Sequence, residues 1–331
     1  MTDPFLLLNE SELRAAVGLD ASALAVVEDS LTYLARGEVD MPMPMGIEIP
    51  EHEGEVHVKS AYIKSLPGFA VKIASGFYRN PGLGLPTSSG MMILLSSNTG
   101  FPMAMLLDNA YLTDVRTALA GAVAAKHLAP ANVRTVGVVG TGVQARLQVQ
   151  ALQLVRSFRN VVVWGRRPEA MRKYVKEVSE TLGLDVVPAA SVSEVVHRSE
   201  LVVTTTPART GLVKAADLHP GLHITAMGSD GPGKQELEPA VLARADRLVC
   251  DRKSQCFVLG ELQHGLAAGT LDEASSIDEL GEITAGIKRG RTREDEISVC
   301  DLTGVGTEDT AIALFALRLA KEKGLGTTVN S

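Results

Sequence analysis

Between Glu55 and Leu107 apolar and polar residues alternate in short runs, whereas beyond Pro130 longer apolar runs are separated by helical stretches. Before that change, Leu13 to Arg36 repeats its apolar positions with helical periodicity, and Asp40 to Pro50 is a Met- and Pro-rich extended stretch that regular helix cannot accommodate. The alternation predicts strands at Glu55 to Ile63, Phe69 to Ser75, Gly90 to Leu95 and Met103 to Leu107, with a turn at Asn98-Thr99-Gly100. Antiparallel hairpins follow. Asn109 to Leu128 reads as a helix apolar nearly all round, and therefore buried.

Beyond Pro130 the predicted strands are Thr135 to Val139, Val161 to Trp164, Leu201 to Thr205, His223 to Met227, Leu248 to Asp251 and Ser298 to Leu302. Apolar strands interleaved with helices specify an α/β fold with a parallel, doubly wound (Rossmann) sheet. A last helix, Glu308 to Lys323, has a Gly-rich end and no strand expected after it, so it should pack back on the first domain. The expected division is a smaller α+β substrate-binding and dimerisation domain, 1–129 with 309–331, and a dinucleotide-binding domain, 130–308.

Composition narrows the partners. At 331 residues the chain exceeds what one core usually serves, and its net charge of −7 has no block of like charges behind it, so nucleic-acid and membrane-surface partners are not indicated. Cys250, Cys256 and Cys300 lack the close spacing of a metal knuckle or redox pair, which fits a reducing compartment and gives no metal site. The apolar run Phe5 to Leu8 is too short for a signal peptide or a membrane span, so a cytoplasmic location is expected.

The candidate chemistry begins at Gly140-Thr141-Gly142-Val143-Gln144-Ala145, a Gly-x-Gly-x-x-Ala turn between a buried strand and a helix. Gly140 permits the tight turn, Gly142 removes the side chain where pyrophosphate must approach, and Ala145 lets helix and strand pack closely; N–H groups at the helix start then face the phosphates. Folds that select NAD place an acid after the second strand. Here Trp164 is followed by Gly165, Arg166 and Arg167, which could accept a 2′-phosphate or stand in solvent, so both NAD(H) and NADP(H) are expected cofactors.

Ligands of open α/β sheets bind beyond the carboxyl ends of the strands, which here hold Thr205, Thr206, Met227, Gly228, Ser229, Asp230, Asp251 and Asp301. Asp230 stands in a loop rich in Gly and Pro, as a turn residue or as a catalyst. Lys72 shares a strand face with Ala70 and Ala74, as a solvated lysine or in a concavity. Arg116 lies on the buried helix, so Asp114, another acid or an anionic ligand must pair with it.

The stretches Phe69 to Lys72, Leu112 to Ala118, Val138 to Ala145 and Ala226 to Lys234 together make the chain resemble the ornithine cyclodeaminase and mu-crystallin family over nearly its whole length. That resemblance implies a nucleotide-binding domain plus a smaller domain that dimerises through its sheet, with substrate held between them and the nicotinamide. It implies that Arg116 and Lys72 bind the substrate carboxylate, that Thr87 lies near the nicotinamide, and that Asp230 is the acid/base beside the reacting nitrogen. Lys72 thereby joins Asp230 among the catalytic candidates.

Departures from the family pattern bear on substrate. Ornithine cyclodeaminases carry an arginine where Pro42 to Met45 stand here, and an acidic residue near the position of His57; this chain has His57 and Lys59 on one strand face instead. Basic groups in place of an acid favour a second carboxylate over a second amino group. The resemblance is then nearest to iminosuccinate reductases and the related ectoine-utilisation proteins, and the expected reaction is reduction of iminosuccinate to aspartate by a cytoplasmic homodimer. Rival expectations are a cyclodeaminase, an alanine dehydrogenase-type enzyme, and a dinucleotide-bound binding protein of mu-crystallin type.

Overall fold

The alternating runs pair as antiparallel strands in the computed structural model, which describes residues 5–272 and 274–329; the opening Met1-Thr2-Asp3-Pro4 lies outside them. Two compact units part after Arg116 and after Gly304. The first boundary falls inside the helix Tyr111–Leu128, 13 residues ahead of the expected break between 129 and 130, and the second just ahead of the C-terminal helix Gly306–Glu322.

The first unit is built on an eight-stranded sheet. Its strands are β1 (Phe5–Asn9), β2 (Val39–Asp40), β3 (Met45–Ile49), β4 (Gly54–Ile63), β5 (Gly68–Phe77), β6 (Ser88–Ser96), β7 (Pro102–Leu107) and a last one, Thr327–Val329. Thr327–Val329 pairs with β1, which lies parallel to β7; β7, β6, β5 and β4 then follow antiparallel, with β2 and β3 both on β4. The turn at Asn98-Thr99-Gly100 closes β6 onto β7, with Gly100 at φ +73° and the Ser96 N–H donating to the Phe101 carbonyl at 2.8 Å. The C-terminal helix covers β4 and β5, and the buried residues Ala61, Ile63, Ala70, Met92, Leu94 and Ile312 form the core there.

The helical periodicity of Leu13 to Arg36 is carried by two helices, Glu10–Ala16 and Ala21–Ala35. The break follows from Asp20, whose carboxylate accepts the N–H groups of Ser22 and Ala23 and so starts a new helix. A strand does follow the last helix: Gly326, at φ +97°, turns the chain so that Thr327–Val329 runs antiparallel to β1. Three exposed residues with one apolar side chain carry no periodicity, so this edge pairing left no signal.

The second unit holds a sheet of eight parallel strands: β8 (Thr135–Val139), β9 (Asn160–Trp164), β10 (Asp185–Pro188), β11 (Leu201–Thr204), β13 (His223–Ala226), β15 (Arg247–Cys250), β16 (Ile277–Glu279) and β17 (Ser298–Asp301). The pair β12 (Arg209–Val213) and β14 (Gln235–Leu237) forms a separate ribbon. The sheet order β10-β9-β8-β11-β13-β17-β15-β16 reverses direction between β8 and β11. Such a reversal opens a crevice at the carboxyl edge, the place where α/β sheets of this kind bind ligands. All four residues of β11, β13 and β17 are buried, as doubly covered parallel strands require.

Candidate active site

In the first unit the first turn of the C-terminal helix is sunk into the sheet. A Cβ on Gly306 would lie 2.5 Å from the Ser60 carbonyl, and Thr310 Oγ1 accepts the Ala70 N–H at 3.0 Å while donating to the Ala61 carbonyl at 2.7 Å. This close approach places Glu308 and Asp309, both fully buried, against Lys72 and Arg116. Lys72 Nζ lies 2.9 and 2.8 Å from the two Asp309 oxygens. Arg116 gives Nε to Asp309 and Nη1 to Glu308, each at 2.9 Å.

Lys72 is therefore not a solvated lysine; it is 2% exposed, because it sits on the strand face that the helix covers. Arg116 has found its acids in Glu308 and Asp309 rather than in Asp114. Burial, reinforced by Arg116, pushes the Lys72 ammonium down to about 7 against the pull of Asp309. Burial opposes the charge on Asp309 too, but Lys72 and Arg116 outweigh it and hold that carboxyl below its ordinary value. The four groups are two cations set against two carboxylates, so each charge buried here has its counter-charge beside it.

Lys59 is the direct neighbour of Lys72 across the β4–β5 ladder and is also buried. His57, two residues earlier on the same face, is flanked by acids: its Nε2 lies 3.9 Å from Glu55 Oε2, and Glu48, Glu55 and His57 bring ligand atoms within 4.8 Å of one another. The His57 end of the face is thus mixed in charge rather than basic. Alternation alone could have shown it, since Glu55 precedes His57 by two. Thr87 is half-buried ahead of β6, and its carbonyl accepts the Phe77 N–H at 2.8 Å.

In the second unit Gly140 ends β8 at φ +127°, where a side chain would also collide with Thr205. The following helix, Val143–Leu152, starts at Gly142 with no side chain capping it. A Cβ on Gly142 would meet no atom within 4 Å. An uncapped helix start beside open space, at the reversal point of the sheet, fits a dinucleotide's pyrophosphate. Ala145 is fully buried, and Thr141 and Gln144 complete the turn. Arg166 and Arg167 are exposed beyond β9, and neither carries an ion pair to a described residue.

The loops after β11 and β13 are tightly held. Thr205 donates its N–H to the Val139 carbonyl at 2.9 Å, and Met227 donates its own to Thr204 at 3.1 Å. Asp230 is 44% exposed on the loop after Gly228 and forms an ion pair of 2.8 Å with the buried Lys234. The turn is braced by Ser229 Oγ, which donates to the Lys234 carbonyl at 2.7 Å. Asp251 and Asp301 are buried and hold backbone N–H groups of Thr303, Gly304 and Leu262, which makes them structural.

The model of the Ornithine cyclodeaminase/mu-crystallin family matches residues 6–324. Over 326 residues the chain is 46% identical to an uncharacterized cyclodeaminase of Sinorhizobium fredii, a match covering 98% of each. An archaeal alanine dehydrogenase dimer solved with bound NAD aligns with a TM-score of 0.91 at 33% identity, over 99% of each chain. The iminosuccinate reductase of Paracoccus denitrificans, solved in complex with NAD+, aligns with a TM-score of 0.90 at 29% identity, over 99% of this chain and 100% of that one.

Proposed function

Because the chain belongs to the ornithine cyclodeaminase/mu-crystallin family, we propose that it is an NAD(P)-dependent oxidoreductase that interconverts a small α-imino acid and its α-amino acid. The observation that carries this reading is the buried cluster in which Lys72 and Arg116, the pair proposed to bind the substrate carboxylate, are held side by side by Glu308 and Asp309. Arg116 and Lys72 fix the α-carboxylate, and the Asp230 carboxylate stabilises the iminium and manages the proton on its nitrogen. Gly140 to Ala145 hold the pyrophosphate, with Thr87, Thr205, Thr206, Met227 and Gly228 toward the nicotinamide. The bound dinucleotide supplies the hydride that the imine carbon receives as C=N becomes C–N.

The proposed substrate is iminosuccinate, with Lys59 holding the distal carboxylate. The relative that reduces iminosuccinate supports it. A monocarboxylic imine is the second reading, favoured by the acids beside His57 and by the alanine dehydrogenase relative. NADH oxidation measured with oxaloacetate, pyruvate and glyoxylate, each with ammonia or methylamine, separates them. Faster turnover with oxaloacetate and ammonia supports the diacid; faster turnover with pyruvate replaces it with the monoacid. If no combination changes the nicotinamide absorbance, the reading as an enzyme fails and a dinucleotide-binding role takes its place.

We further propose a homodimer, since the alanine dehydrogenase relative is a dimer, and a cytoplasmic location. No helix of the described residues is long and apolar enough to cross a membrane, and all three cysteines are buried thiols.

A further inference from the structure

Behind the strand ends lies a fully buried carboxylate that no step above uses. Glu236, on β14, accepts three hydrogen bonds: from Thr204 Oγ1 at 2.6 Å and the Gly228 N–H at 2.7 Å on one oxygen, and from the Thr206 N–H at 2.5 Å on the other. The loops after β11 and β13, adjacent strands of the parallel sheet, are thereby tied to one side chain. Its own strand is held in turn by Glu261, whose two oxygens accept the N–H groups of Glu236 at 2.7 Å and Leu237 at 3.2 Å.

We propose that Glu236 is a positioning residue for hydride transfer, a carboxylate clamp that fixes the backbone of Thr206 and Gly228 and so the loops that present the nicotinamide and Asp230. The inference rests on the function proposed above. With the pyrophosphate cradle after β8, a dinucleotide entering at the reversal point runs its second half across the ends of β11 and β13. Asp230 follows Gly228 by two residues. An error at the clamp therefore reaches both the cofactor and the acid/base.

The chemistry of the clamp is specific. A carboxylate is an acceptor at both oxygens, which matches two backbone N–H groups and a hydroxyl. A carboxamide is not, because its NH2 would face an N–H at either place. Burial pushes Glu236 up to about 7, against the pull of the hydrogen bonds from Thr204, Thr206 and Gly228. Gly228 belongs to the same device: a Cβ there would lie 2.6 Å from the Glu236 carboxyl carbon and collide with the Thr206 carbonyl.

The test uses the full chain as wild type, Glu236→Gln and Thr204→Val. Amide hydrogen exchange of the cofactor-free proteins should speed up in the segments around Thr206 and Gly228 and stay unchanged elsewhere. With NADH and its 4-deuterated form, kcat of Glu236→Gln should fall by about 10- to 100-fold, the cost of a misaligned reacting pair. The isotope effect on kcat should rise and the Kd for NADH stay near wild type. Thr204→Val should shift every readout in the same direction by less. Normal kcat and isotope effect in Glu236→Gln overturn the proposal, as does faster exchange across the whole unit with kcat intact. If Glu236→Gln does not fold, Thr204→Val decides, and wild-type exchange and isotope effect in it overturn the proposal. Failure of the wild type to reduce any imino acid defeats the functional reading instead; the exchange experiment then still tests the clamp.

Discussion

Affinity for a carboxylate should fall steeply above neutral pH, and the cause is Lys72. Its ammonium is depressed to about 7, first by burial and then by Arg116, while Asp309 pulls the other way. Only the protonated form attracts a carboxylate. The affinity is therefore fully present below about 7 and lost as the pH rises, since above that value binding must first recharge a buried amine. Each pH unit of recharging costs about 1.4 kcal/mol, so between pH 7 and pH 9 the Kd should weaken by at most about 50-fold, levelling off where Arg116 alone holds the anion. Propanoate and, above pH 7, succinate suit the assay because their charge is then constant, whereas an imine's concentration is not. They would be titrated into the enzyme with NADH bound, read by nicotinamide fluorescence from pH 6 to 9, with the Kd for NADH as a control that should stay level. Lys72→Met should bind more weakly and show no slope. Asp309→Asn removes the charge that raises Lys72, so its midpoint should move to lower pH. A level profile in the wild type, or the same slope in Lys72→Met, would refute the reasoning.

Asp230→Asn should leave the Kd for NADH near wild type and lower turnover by about 100-fold or more, the scale of losing a general acid/base; near-normal turnover would return Asp230 to a turn residue paired with Lys234. Arg166→Ala should weaken NADP(H) more than NAD(H), measured by titration of each, because only one of them carries the 2′-phosphate; equal effects would place Arg166 in solvent. Lys59→Met should cost oxaloacetate with ammonia about 10- to 100-fold in kcat/KM while sparing pyruvate with ammonia, since a distal carboxylate would lose its buried partner. Parallel losses on both substrates would instead assign Lys59 to the α-carboxylate cluster beside Lys72.

What is local in this protein was legible from its residues. The turn Gly140 to Ala145 declares itself because strand, glycines and helix start are contiguous, and the hairpins from Glu55 to Leu107 because a period of two marks a half-covered sheet. The same alternation placed His57 and Lys59 on one face, and the apolar helix around Arg116 showed that the guanidinium needed a partner. Which partner it takes was another matter. Asp309 lies 237 residues from Lys72 and 193 from Arg116, and the acid nearest in sequence, Asp114, was the wrong one. Periodicity says which face of an element is covered, but the identity of what covers it depends on a chain path that no local pattern encodes. For the same reason Glu236 was not singled out, and no strand was expected at Thr327–Val329. Only the tertiary structure, by sinking the first turn of the last helix between β4 and β5, turned a lysine, an arginine and two distant acids into a single buried site.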